Sequence, residues 1–446
     1  MARQMKDSGV EWIGEIPEEW EVARLKTRFF FGKGLPITKE NLVPAGVPVV
    51  SYGQVHSKSN NGTALSNELF RFVDESYLAT NPQSLVHRGD FIVADTSEDV
   101  EGCGNCVYVD SDLVLFAGYH TIILFDKEAR DNKYFAYLFQ SNEWRNQIRC
   151  KASGVKVFSI SRKMLSDAYC TVPPTAEQTA ISTYLDLKCA EIDKVVDQTR
   201  ATIEEYKKLK QAIITEAVTK GVRGPRPMKP SGVEWIGDIP VGWYTSKAGR
   251  FIASTQNGLT RRDLSESSGD IVLKLRNITP DGTIDYSAVT RVKLSDAEKT
   301  AYTLEKGDFL FVRVNGSKSL VGKSAIFEGS DEDVAYNDHI IRVRLETNYS
   351  RAYFKWFLLS TPGKTEIDMR TSTSAGQFTI SGQELRNIRL CVPSEEEQQE
   401  IATYLDAKCA EIDRIIEKKE QLIEELGSYK KSLIYEYVTG KKEVTA

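Results

Sequence analysis

The chain has 446 residues, 41% hydrophobic and 27% charged, a balance that excludes wholesale disorder and collagen-like repetition and implies more than one domain. No apolar run approaches the roughly 20 residues that a membrane-spanning helix needs, and the opening MARQMKDSGVEW lacks a secretory apolar stretch, so a cytoplasmic protein is expected. The net charge of −5 is unevenly spread: segments 1–20, 230–243 and 392–446 carry −3, −2 and −5, whereas 21–171, 172–229 and 244–391 carry 0, +2 and +3, which leaves room for a local positive face.

In chain order, the first feature is SGVEWIGEIPEEW at 8–20, which returns as SGVEWIGDIPVGW at 231–243 with ten of thirteen positions identical. FGKG at 31–34 only loosely resembles the cofactor loop of methyltransferases, and no N-P-P-[YF]-type tetrapeptide accompanies it. GDFIVAD at 89–95 and HTIILFD at 120–126 have strand composition bounded by Gly and Asp. Cys103 and Cys106 form a C-x-x-C without a second ligand pair at zinc spacing, so a tight turn is expected rather than a metal site. Seven cysteines in a chain without an export signal point to reduced thiols. YFAYLFQSNEWRNQI at 134–148 reads as a helix with an aromatic core face, and RCKASGVKV at 149–157 as a basic, Ser/Gly-containing loop.

From Ala176 to Lys220 there is neither Gly nor Pro, and apolar residues step by three and four: Ile181, Leu185, Cys189, Ile192, Val196, Ile203, Tyr206, Leu209, Ile213 and Ala217. Such spacing is the seam of a long packed helix or coiled coil about 65 Å long. Thr175 with Gln178 is expected to form a capping box, Gly221 to end the helix, and GVRGPRPMKP at 221–230 to act as linker.

The second copy follows. IVLKLRNI, GDFLFVRV and HIIRVRL have strand composition, and YFKWFLLSTPGKTEI reads as helix. NGSKSLVGKS at 315–324 has one residue too many for a phosphate loop and precedes a strand-like AIFEG, so a hairpin loop is expected. EQQEIATYLDAKCAEIDRII at 397–416 matches thirteen of twenty positions of 177–196, and Ser394 with Glu397 repeats the capping pattern. The second seam runs through Ile401, Leu405, Cys409, Ile412, Ile416, Ile423, Leu426 and Leu433. The chain is therefore a tandem duplication of about 220 residues whose ends stayed alike while the middles diverged. The expected class is α+β: residues 1–171 and 230–391 as two globular domains, 172–229 and 392–446 as helical spacers packed as an antiparallel coiled coil with a pseudo-twofold repeat.

Four histidines and no nucleophile-elbow spacing leave little for catalysis. The loop chemistry suits nucleic acid instead: Lys151, Ser153 and Lys156, and in the second copy Arg313, Asn315, Ser317, Lys318, Arg370, Ser372, Ser374 and Gln377. Arg and Lys reach guanine acceptors or phosphates, Asn and Gln pair with adenine, and Ser with Gly permits close backbone approach. Asp95, Thr96, Ser97, Tyr119 and His120, and the matching Asn337 and His339, are further candidate contacts at strand ends. Two other readings remain open, a self-contained duplicated nuclease or methyltransferase and a protein–protein scaffold without DNA specificity.

The twice-used SGVEWIGEIPEEW-like opening, the VP…EQ…I..YLD.K.AEID helices from Val172 and Val392, and the pair of variable middles together resemble the DNA-specificity subunit of type I restriction–modification systems. The resemblance covers essentially the whole chain. It implies two target-recognition domains held apart by antiparallel helices, each reading one half of an interrupted, asymmetric duplex DNA site. It also implies a non-catalytic chain that recruits two methyltransferase subunits, which bind S-adenosylmethionine and methylate adenine. Two restriction subunits using ATP and Mg would join for cleavage.

Overall fold

The computed structural model describes residues 3–128, 130–154, 156–261, 268–279, 282–347, 349–374 and 376–444. They form two compact units: one runs to Thr199 and resumes at Glu420, and the other comprises Arg200–Lys419. Each unit thus holds one globular domain with one half of each long helix. Among the described residues no helix is long and apolar enough to cross a membrane.

In the first unit, Phe91–Ala94 is buried at every position, as a strand covered on both faces must be. It lies between Cys106–Tyr108 and Thr121–Asp126, and Phe29–Lys33 completes an antiparallel four-stranded sheet. A second sheet orders Arg71–Val73, Val47–Val50, Leu115–Ala117 and Leu85–Val86, with the Val47–Val50 and Leu115–Ala117 strands parallel. The helices Lys133–Gln140 and Asn142–Arg149 supply the aromatic core: the Phe29 ring meets those of Phe91 and Phe135 edge-on at 5.8 and 5.7 Å, and Phe139 lies 4.3 Å from Trp144. Ser141 caps the second of these helices by accepting from the Trp144 N–H.

The second unit repeats this plan. Its four-stranded sheet runs Ile252–Asn257, Ile340–Leu345, Phe309–Val312, Ser324–Ile326, and its second sheet pairs Asp270–Leu273 in parallel with Val334–Tyr336. Between Phe309–Val312 and Ser324–Ile326 the NGSKSLVGKS segment is the expected hairpin loop, closed by the Val312 N–H to Lys323 O. FGKG ends an edge strand: a side chain at Gly34 would collide with Gly118 O, and one at the matching Gly258 with Asn337 O. Cys103 sits in a turn and Cys106 opens a strand; burial pushes the Cys106 thiol up to about 12.

The long helices span Thr175–Lys220 and Glu395–Val438. In each unit they run antiparallel. Tyr184 and Tyr437 rings lie 4.6 Å apart and Lys430 holds Asp193 at 2.7 Å in the first unit, so advance along one helix is retreat along the other. In the second unit Lys210 pairs Asp413 at 2.6 Å and Arg223 pairs Glu400 at 2.6 Å. Ile181, Leu185, Cys189 and Ile192 join the first domain's core together with Leu433, Ile434, Tyr437 and Val438. Ile401, Leu405 and Cys409 join the second with Ile214, Ala217 and Val218. Ile203 and Ile412 are buried, while Val196, Ile416 and Ile423 are half-buried.

Three local expectations are corrected. Leu209 points outward; the seam position after Tyr206 is taken by Lys210, whose ammonium reaches Asp413. Thr175 and Gln178 form no capping box: Thr175 is already the first residue of the helix, the Gln178 N–H donates to Pro174 O at 2.9 Å, and its side-chain amide donates to Pro173 O at 2.7 Å. Ser394 does accept from the Glu397 N–H, but the Glu397 carboxylate accepts from the buried Trp243 indole at 2.7 Å instead of reaching back to Ser394. Its counterpart Glu177 accepts from Trp20 at 2.8 Å. The Arg3 and Arg226 guanidiniums complete these anchors, each bound to the same glutamate and lying over the same indole, at 5.6 and 5.1 Å. A buried indole N–H needs an acceptor, which is why the glutamate is drawn there.

Candidate nucleic-acid interface

In each domain three segments converge at one end of the four-stranded sheet. In the first they are Asp95–Ser97, the Tyr119–His120 turn and the stretches 153–154 and 156–160. Thr96–Ser97 pairs with Phe158–Ser159, Ser153 bridges to Ser159, the Asp95 N–H donates to His120 O at 3.1 Å, and the Ile160 N–H donates to Asp95 O at 2.8 Å. His120 has φ +55°, the one left-handed non-glycine residue among those described, a conformation that functional turns often hold. Its imidazole Nδ1 lies 3.3 Å from Asp95 and 3.4 Å from the Thr96 hydroxyl, and 58% of the side chain remains exposed. Lys151 and Lys156 are exposed in the loop beside it, and Ser97 is buried.

The second domain builds the same frame. The Arg313 N–H donates to His339 O at 2.7 Å, the Ile380 N–H to Arg313 O at 3.0 Å, and Val314–Asn315 pairs with Gln377–Thr379. An extra strand, Ser372–Ser374, extends the hairpin beyond Gln377–Thr379, and Ser372 and Thr379 hydroxyls lie 3.2 Å apart. Asn315, Ser317, Lys318, Ser372, Gln377 and His339 are thereby brought to one place, with Ser317, Lys318, Ser372 and Gln377 exposed. The Ser374 side chain lies outside the described residues. Asn337 is buried and its amide holds His339 Nδ1 at 3.2 Å. Arg370 does not join the cluster: Glu366, fully buried, takes its guanidinium at 2.6 Å and also accepts from the Arg389 N–H and the Trp235 indole.

The sequence reading missed several neighbours in the first domain. Tyr52 packs edge-on against Tyr119 and His120 at 5.6 and 5.4 Å, and His56 Nε2 lies 2.8 Å from Thr96 O. Asn105 ties His56 to Arg145, whose guanidinium bonds only neutral acceptors among the described residues: Asn105 and Gln140 at 2.6 Å and Phe139 O at 2.9 Å. Burial lowers the Arg145 pKa. These residues line an open cleft of about 1500 Å³ whose other wall carries Lys430 and Lys431 of the second long helix. Nothing at positions 52, 56 or 105 echoes in the other copy, so the repeat gave no signal for them.

A helix-bordered cleft and two loop clusters rich in Arg, Lys, Asn, Ser and His can meet phosphate oxygens and base edges; no cluster able to hold a metal occurs among the described residues. Comparison with known proteins adds the family. A model of the type I restriction modification DNA specificity domain matches residues 17–205 and again 243–425. The chain is 25% identical to the type I restriction enzyme StySPI specificity subunit of Salmonella potsdam, covering 97% of this chain and 91% of that one. It is 22% identical to the EcoKI specificity subunit of Escherichia coli K12, with the same coverage. Among solved structures, a chain from work on complex assembly and conformational transition of the type I R-M system superposes with a TM-score of 0.71 at 15% identity, covering 96% of this chain and 99% of that one. The HsdS subunit of Thermoanaerobacter tengcongensis gives 0.51 at 14% identity, covering 96% and 98%. With both of its globular domains matched, the chain belongs to the type I restriction modification DNA specificity family.

Proposed function

We propose that this chain is the non-catalytic DNA-recognition subunit of a type I restriction–modification complex, each domain reading one half of a bipartite, asymmetric duplex site. The observation that carries this reading is the pairing of one backbone frame, used twice, with different side chains at the end where its recognition loops meet. A duplicated enzyme would be expected to repeat its reactive groups with their neighbours; here the Trp–Glu–Arg anchors and the helix seams are repeated and hold the domains in place, while the turn histidines His120 and His339 recur beside different partners, Asp95 and Thr96 in the first domain and Asn337 and Asp338 in the second. The long helices and domain flanks recruit two methyltransferase subunits, and two restriction subunits where cleavage occurs. S-adenosylmethionine enters with the former and ATP with Mg with the latter. Phosphate contacts by Lys151, Lys156 and Lys318 supply sequence-independent affinity, so binding weakens as salt rises.

The test is to produce the chain with its methyltransferase partner in a host and map methylated adenines across the genome. The expected result is a single interrupted, asymmetric motif. Methylation without such a motif, or none that depends on this chain, contradicts the reading.

A further inference from the structure

Residues 95 and 313 occupy the same point of the repeated frame. Each follows four buried strand residues, 91–94 and 309–312. Each donates its N–H to the carbonyl of the turn histidine, His120 or His339, and each accepts at its own carbonyl from an isoleucine N–H, that of Ile160 or Ile380. The core therefore sets both backbones alike and both side chains leave at the loop-bearing end of the sheet. One copy carries a carboxylate there and the other a guanidinium.

Both side chains are oriented and incompletely used. Asp95 Oδ1 accepts from the Thr96 hydroxyl at 2.8 Å and faces His120 Nδ1, while Oδ2 has no partner among the described residues. Arg313 spends Nη1 on Asp338 O at 3.0 Å, and no carboxylate lies within ion-pair distance of it among the described residues. Each is half-buried, held by one bond with polar atoms left over.

We propose that positions 95 and 313 read bases: Arg313 donates to the O6 and N7 of a guanine in the half-site of the second domain, and Asp95 accepts from the N4 amino group of a cytosine in the half-site of the first. The charge reversal favours base edges over the DNA backbone. A site facing phosphates would repel Asp95 in the first copy, whereas the major groove presents both acceptors and donors. The assignment rests on the DNA-recognition reading above and names the residues that would execute it.

The experiment uses the whole complex of this chain with its methyltransferase partner. Methylation rates are measured on duplexes altered one base pair at a time across both half-sites, for wild type, Arg313→Lys, Arg313→Gln and Asp95→Asn. Arg313→Lys keeps the charge and loses the fork, so it is expected to bind DNA at the same salt dependence while losing about ten- to a hundredfold of its preference at one G·C pair. Asp95→Asn, close to isosteric, is expected to relax one position of the half-site read by the first domain by a similar factor and to leave the half-site read by the second domain untouched. Unchanged preferences overturn the assignment. So does uniform weakening on every sequence with a shallower salt dependence, which marks a phosphate contact. A wild-type complex with no sequence preference overturns the recognition reading and this assignment with it.

Discussion

The two loop clusters differ where the rest of their domains agree. Tyr134 donates to Val438 O and Tyr353 to Val218 O, so each domain buries a tyrosine hydroxyl against the last turn of the long helix that began in the other copy. Tyr137 reaches Asp186 at 2.6 Å and Trp356 reaches Asp406 at 3.0 Å. The anchors Trp20–Glu177–Arg3 and Trp243–Glu397–Arg226 are near copies. At the sheet ends the agreement lies in the backbone hydrogen bonds, the turn histidines and the Ile160/Ile380 pair, whereas Arg313 takes the place of Asp95, Arg370 that of Lys151, and the second domain adds a strand. Side chains that set the position of a domain are repeated; at its loop end the turn histidine recurs while the residues around it differ. That division is what a modular reader requires, since its frame must persist while its contacts change.

The largest effect should come from the anchors. Trp20→Ala or Trp243→Ala removes a fully buried indole and should cost about 3–5 kcal/mol, since a cavity is left and the glutamate loses one of its donors, keeping the arginine. Hydrogen exchange should show protection lost first in the domain that carries the change. Equal loss in both domains from either variant would mean that the units are not separately anchored.

A middle-sized effect distinguishes Arg370 from its counterpart Lys151. Arg370→Ala leaves the buried Glu366 short of a cation and should destabilise by about 1–3 kcal/mol in chemical denaturation. Lys151→Ala, at an exposed site, should change stability by less than about 0.5 kcal/mol and instead lower DNA affinity with a shallower salt dependence. The reverse pattern would place the recognition contact at Arg370.

The smallest effect concerns the Gly-Asp turns that open the central strands. Asp308 accepts from the Glu305 N–H and from the Arg344 guanidinium, whereas Asp90 accepts from the His87 N–H and Phe125 stands at the position equivalent to Arg344. Burial raises Asp90 to about 6, above its ordinary carboxylate value. The folded first domain therefore holds a proton that the unfolded chain releases, so its contribution is full below pH of about 4 and is lost as pH rises through about 6. Asp90→Asn should flatten that dependence, a difference on the order of 1–2 kcal/mol in stability measured at pH 4 and pH 7. An unaltered profile would assign the dependence to other groups.

How far the sequence spoke depended on the range of the interaction. The duplication, the long helices and the hairpin at NGSKSLVGKS were legible, because identity, the absence of Gly and Pro, and strand-like flanks are local signals. Lys210 replacing Leu209 in the seam was not, because only the register against Asp413 makes a lysine the inward residue. Glu397 looked like a cap residue within its own helix and nothing singled out Glu177; their partners Trp243 and Trp20 lie more than 150 positions away. Arg370 looked free for DNA because Glu366, four residues back in the same helix, gave no sign of being fully buried. Tyr52 and His56 join the first cluster from a short helix with no echo in the second copy, so the repeat that organised the rest was silent about them.

The division of labour between the domains is tested most directly by a hybrid. Residues 21–171 would be replaced with the corresponding segment of a relative, and the resulting complex with its methyltransferase partner used to map methylated adenines. The first half of the target should change and the second stay as it was. A motif altered in both halves, or in neither, would contradict the claim that each domain reads DNA on its own.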